Sequence, residues 1–218
     1  MKNISFILIA ALLSGCSQQE PAAPKPPVSA HDHILAAEDA PEGYEYSNIN
    51  ELVSTEDQAL TEDLVSNDSE KTTTPEQCAP LATSAMDFIA KIYKNPDTFS
   101  AADFSAGDIN ATVSLSTNPV TLPFPADLAE CASFSNDVSG IVSDYSTTPL
   151  DLQIEGAENL QAAKVTIENA GNPLVGEPGE SEFVAHALVD DAVVSVSSHD
   201  EQALRQLMEK QVNKVANR

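Results

Sequence analysis

FVAHALVDDAVVSVSSHDEQALRQLMEKQVNKVANR, residues 183–218, changes period halfway along. Residues 183–189 and 192–197 read as two strands joined at Asp190-Asp191, residue types that tolerate the left-handed backbone of a tight hairpin turn. Ser198-His199-Asp200-Glu201 then opens a helix as a capping box. Ala203, Leu204, Leu207, Met208, Val212 and Val215 recur along it as one apolar stripe, which predicts a helix packed on a sheet. Arg205, Lys210, Lys214 and Arg218 lie towards its end, where cations complement the helix dipole. They also offer a basic face to an acidic partner or to the chain's own acidic segment.

Working back from this hairpin, one-sided strands recur. Ala163, Val165 and Ile167 alternate with polar residues, as do Leu150, Leu152 and Ile154, and the two runs are expected to pair through the connection at 156–160. Val113 and Leu115 mark another strand within 112–117. Thr74-Pro75-Glu76-Gln77 is a helix start, followed by apolar residues at helical spacing from Cys78 to Tyr93 and a stop at Asn95-Pro96. Phe134, Val138, Ile141, Val142 and Tyr145 also have helical spacing, interrupted by Gly140. Helices mixed with alternating strands predict an α+β fold: an antiparallel sheet of four to six strands with helices packed on one face.

The first residues set the location. One Lys precedes an apolar run over residues 4–13, too short to span a bilayer and suited to the central region of a signal peptide. Leu13-Ser14-Gly15-Cys16 has the form of a bacterial lipobox, with small residues before a cysteine that takes the lipid. The expected organisation is a signal peptide at 1–15, lipidated Cys16 with a disordered Pro-rich tether at 16–33, and one extracytoplasmic α+β domain at 34–218. Within that domain, 54–74 is expected to be a flexible acidic loop. The expected site is the extracytoplasmic face of the cell membrane, held by the lipid on Cys16.

Three cysteines divide simply under this reading. With Cys16 given to lipid, Cys78 and Cys131 remain as a pair, and export permits a disulfide between them.

Charge and motifs exclude more than they assign. With 34 acidic residues against 10 basic, a net charge of −24 repels nucleic acid, so no nucleic-acid partner is expected. His31-Asp32-His33 offers imidazole and carboxylate, but three adjacent tether residues fall short of a built site, and no metal or cofactor is expected. No nucleophile elbow, zinc-protease helix, phosphate loop or dinucleotide fingerprint occurs. No catalytic residue is therefore assigned, and the chain is read as non-enzymatic.

The lipobox at Leu13–Cys16 is followed by ILAAEDAPEGY at 34–44, then Cys78 shortly after Pro75, Cys131, and a closing strand–strand–helix. In these features the chain resembles small actinobacterial cell-envelope lipoproteins and, more loosely, the extracytoplasmic sensor domains of mycobacterial membrane Ser/Thr kinases. The likeness runs over residues 34–218. It implies helices over an antiparallel sheet with a ligand cleft, and supplies no catalytic residues. The leading functional expectation is a sensor-like domain binding a small apolar ligand or an envelope protein. An accessory subunit of an envelope complex comes second, and an enzyme of wall or lipid third.

Overall fold

The computed structural model describes residues 25–55, 71–117, 127–171 and 176–218. The signal peptide, Cys16 and most of the acidic loop at 54–74 lie outside these residues. The helices are α1 (Ala30–His33), α2 (Ile49–Thr55), α3 (Ala85–Lys94) and α4 (Glu201–Ala216). The strands are β1 (Glu45–Asn48), β2 (Lys71–Thr74), β3 (Phe99–Ala106), β4 (Ile109–Ser116), β5 (Ser133–Val138), β6 (Ile141–Pro149), β7 (Glu158–Asn169), β8 (Ser181–Val189) and β9 (Ala192–Ser198). All nine join one antiparallel sheet in the order β1-β3-β4-β9-β8-β7-β6-β5-β2.

The closing hairpin and helix form where the sequence predicts. Val189 pairs with Ala192 across the turn, and Asp190 adopts φ 53°. The six residues of the α4 stripe are all at most 2% exposed, against Ala185, Ala187, Val194 and Val196 of the sheet. The helix cap is Asp200, whose carboxylate accepts from the Ala203 N–H. Ser198, expected to cap, is instead the last residue of β9, and its hydroxyl accepts from the Asp200 N–H.

The sheet exceeds the expected four to six strands. Residues 133–149 form a hairpin in place of the helical run, because Ser139 and Gly140 both take positive φ, 54° and 84°, between Val138 and its partner Ile141. Such a turn matches strand twist, and it overrides the 3.6-residue spacing. The edge strands β1 and β2 add two more. Leu150, Leu152 and Ile154 face the core as their alternation implies, but not as a strand. Pro149 ends β6, and the chain leaves the sheet to run beside α4, where Arg205 donates to the Asp151 carbonyl. The partner of β7 is therefore β6.

Helices cover both faces, not one. On the first face lies α4 with α1, including Leu35 and Phe104, both fully buried. On the second, Phe88 and Ile92 of α3 pack with Ile49, Phe99 and Ala101, while Cys78, Leu81 and Cys131 pack with Phe134, Tyr145 and Val165. The expected helix from Pro75 to Tyr93 is two elements. Pro80 has no N–H to continue an α-helix, so Glu76–Ala82 is a 3-10 segment. Ser84 then caps α3, its hydroxyl accepting from Asp87 N–H while Asp87 accepts from Ser84 N–H.

The ordered body also begins before residue 34. Val28 and Ala30 are buried, and the Lys25 ammonium bonds the Ala216 carbonyl at 2.8 Å. Gln211 of α4, fully buried, accepts from the Leu35 N–H and donates to the His33 carbonyl. Segment 25–33, assigned to the tether by its prolines, is thus fixed to the body.

Cys78 and Cys131 are bonded, with Cα atoms 5.7 Å apart and 53 residues between them in sequence. Closing a loop of that length contributes about 4 kcal/mol by restricting the unfolded chain. Replacing both cysteines by serine is expected to lower the urea midpoint, with a steeper slope because the released unfolded chain exposes more surface. An unchanged midpoint would refute the assignment.

Candidate functional site

The second face is not uniformly apolar. Strand register sets Ala101, Ser114, Ser195, His186 and Gln161 in one row across β3, β4, β9, β8 and β7. Ser116 and Val193 form the next pair, and Thr112, Ser197 and Val184 another row. At the centre of the sheet, then, hydroxyls and an imidazole stand where the other face carries Val113, Leu115, Val194 and Val196.

Two walls flank this floor and leave a cleft of about 780 Å³ between them. One wall is α3, through Asp87, Phe88 and Lys91; the other is the 76–83 segment, through Ala79, Pro80 and Thr83. The disulfide ties the second wall to Leu128–Cys131. Closure comes from Lys71 on edge strand β2, whose ammonium meets the Asp87 carboxylate and the Ala82 carbonyl, each at 2.6 Å. Nine strands twisting about 20–25° per step turn the sheet through roughly 160–200°, which brings one edge near a helix lying over the other. Lys91 lies over the rings of Phe88 and Phe99, 5.6 and 5.9 Å from their centroids.

His186 is the chemical centre of the floor. Its Nδ1 lies 2.5 Å from the Ser195 hydroxyl. Burial, reinforced by the Lys91 charge and opposed by a hydrogen bond to the Pro80 backbone, lowers its pKa to about 3. The ring is therefore neutral near pH 7.

Two carboxyls further along this face hold their protons more tightly than usual. Burial raises Asp103, against the hydrogen bond it accepts from Thr112 at 2.5 Å. Burial also raises Glu182, against Ser197 and the charge of His199. Strands β4 and β9 lie between theirs, a separation of about 14 Å at ~4.8 Å per step.

Of the residues singled out in the sequence, Cys78 and Cys131 support the cleft wall, and Cys16 lies outside the described residues. His31 and His33 are away from the cleft: the His31 ring bonds the Pro96 carbonyl, and the His33 ring meets Ser29. The cations of α4 go to the chain's own groups. Lys214 pairs with Asp39 at 2.6 Å, Lys210 bonds the Asp39 carbonyl, and Arg205 bonds Glu201. Arg218 pairs with Asp190. Asp39 lies in the acid-rich stretch from Asp32 to Glu76, so one of the two roles open to the basic helix is filled internally. Sequence reading missed Ser195 and His186 as a pair, although each stands three residues outward from Ala192 and Val189, which the turn places opposite one another.

No protein-family model matches this chain, and no curated protein does. Among solved structures it is similar to an uncharacterised protein from Mycobacterium smegmatis, the Rv0999 ortholog, at 14% identity and a TM-score of 0.46, over 86% of this chain and 100% of that one. It is also similar to the extracellular domain of PknH from Mycobacterium tuberculosis, at 15% identity and a TM-score of 0.43, over 85% of this chain and 98% of that one.

His186 gives a pH signature with a definite sign. Its folded pKa is below the unfolded value of 6.5, so the unfolded chain binds the proton more readily. Stability is unaffected above that value and is lost as pH falls from about 6.5 towards 3. Asp103 and Glu182, with raised values, act in the opposite sense. Replacing His186 by Gln is expected to flatten the fall in melting temperature between pH 6.5 and 4 relative to the parent. Identical slopes in the two proteins would refute the buried neutral imidazole.

Proposed function

We propose that this chain is a lipid-anchored extracytoplasmic domain that binds a small ligand in the cleft between α3 and the 76–83 segment. The observation that carries the reading is the floor itself. A purely structural domain gains by filling the centre of its sheet with apolar side chains, each worth about 1.5–3 kcal/mol on burial. Here Ser114, Ser195 and His186 occupy that centre beneath a cleft of about 780 Å³, within the size range of small-ligand sites. The anchor rests on the lipobox at Leu13–Cys16, and the Cys78–Cys131 disulfide suits an oxidising exterior.

Binding is favoured over catalysis by the same imidazole. A general base works best with a pKa near the operating pH, and His186, lowered to about 3, is too weak to activate Ser195. The internal engagement of Arg205, Lys210, Lys214 and Arg218 argues against α4 as a docking face for an acidic partner.

Two measurements test the reading. Cys16→Ser is expected to move the protein from the membrane fraction to the medium, and retention would refute the anchor. For the cleft, the full chain equilibrated with an envelope extract is expected to carry a small-molecule adduct in native mass spectrometry. Ser195→Trp, which fills the floor, should lose it. An adduct that persists in the variant would locate binding elsewhere.

A further inference from the structure

We infer that the ligand of this cleft is an uncharged, hydroxyl-rich molecule of the saccharide or polyol class. The inference rests on the cleft being the binding site and adds the chemistry of its occupant.

Three observations converge on this class. The first is the position of Ser195. Its hydroxyl lies 2.5 Å from the His186 imidazole, so the centre of the floor is a hydroxyl beside an uncharged ring. A ligand hydroxyl can meet the Ser195 hydroxyl as donor or as acceptor, whereas an uncharged ring and a hydroxyl offer a carboxylate or phosphate no charge to pair with. The second is charge. The charged side chains bordering the cleft are Lys71, Glu76, Asp87 and Lys91, two of each sign, with Lys71 held against Asp87 at 2.6 Å. A balanced border offers no net attraction to an ion of either sign.

The third is the alternation of the lining. Rotatable hydroxyls of Ser114, Ser116 and Ser195 are interleaved with Val184, Val193 and Phe88. A pyranose or cyclic polyol carries hydroxyls around its edge and C–H groups on its faces, and so meets both kinds of surface at once. A wholly apolar ligand would desolvate the hydroxyls of Ser114 and Ser116 with nothing from the ligand in return, at about 1–3 kcal/mol for each one left unpaired. The hydroxyl floor therefore turns the expectation of an apolar ligand towards a polar one.

The test uses the full chain with a panel of neutral probes, chitotriose, maltotriose, mannotriose and myo-inositol, and two acidic probes, trigalacturonate and inorganic phosphate. Saturation-transfer NMR detects binding and calorimetry measures it. At least one neutral probe is expected to bind. Ser195→Ala should weaken it by about tenfold, the equivalent of one lost hydrogen bond. Ser195→Phe should abolish it, with Ser116→Phe, on the neighbouring strand, as the second blocking variant if the first does not fold. Binding of only an acidic probe, lost in the blocking variants, overturns the saccharide class while leaving the cleft as the site. Binding of no neutral probe overturns the class. Neutral binding that survives both blocking variants overturns the cleft assignment as well.

Discussion

Asp190 and Asp191 close a hairpin in which Val189 faces Ala192, and from that pairing every residue of β8 and β9 is assigned a side. Ala185, Ala187, Val194 and Val196 fall beneath α4; His186 and Ser195 fall on the opposite face. A slip of one residue would exchange the two sets, putting an imidazole under the helix and valines in the cleft. The helix enforces the register, since its six stripe residues need an apolar surface. The core on one face and the polar floor on the other are consequences of the same pairing.

The cleft walls are assembled by contacts distant in sequence. Lys71 reaches Asp87 across 16 positions, and both side chains are less than a fifth exposed, so each charge depends on the other for compensation. Asp87 also caps α3, which couples the start of that helix to an edge strand at the far side of the sheet. The disulfide fixes the other wall from behind. Between two restrained walls, the floor can consist of small hydroxyl-bearing residues without the walls closing onto it.

What could be read from the sequence follows the range of the interactions involved. The closing hairpin and α4 are legible because turn chemistry, alternation and helical period act within about ten residues. The disulfide is legible by counting cysteines once Cys16 is set aside. The β5–β6 hairpin was misread because Phe134, Val138, Ile141 and Tyr145 suit a helix as well as a strand, and the decisive term was the two-residue Ser139-Gly140 turn. Strand β2, Lys-Thr-Thr-Thr, has no apolar face, and it is held through pairing with β5 and the Lys71 contacts. Only its tertiary partners make it a strand. The Ser195–His186 pair was within reach of counting outward from the turn, but neither residue belongs to a motif that would prompt the count.

The contacts of Lys25 and Pro26 have a mechanical consequence. Lys25 bonds the Ala216 carbonyl and pairs with Asp190 at 3.5 Å, and Arg218 donates to the Pro26 carbonyl and pairs with Asp190 at 2.6 Å. The leading segment, the end of α4 and the β8–β9 turn are therefore knotted at one pole of the sheet. Ile141 and Val142, the most exposed large aliphatic residues described, lie at the opposite pole, where β6 begins beside the end of β7. A pull arriving along the chain ahead of Lys25 is borne first by these surface ion pairs and carbonyl contacts. The ladder beneath the cleft lies in series behind them, so tension would peel the strap before it distorted the floor.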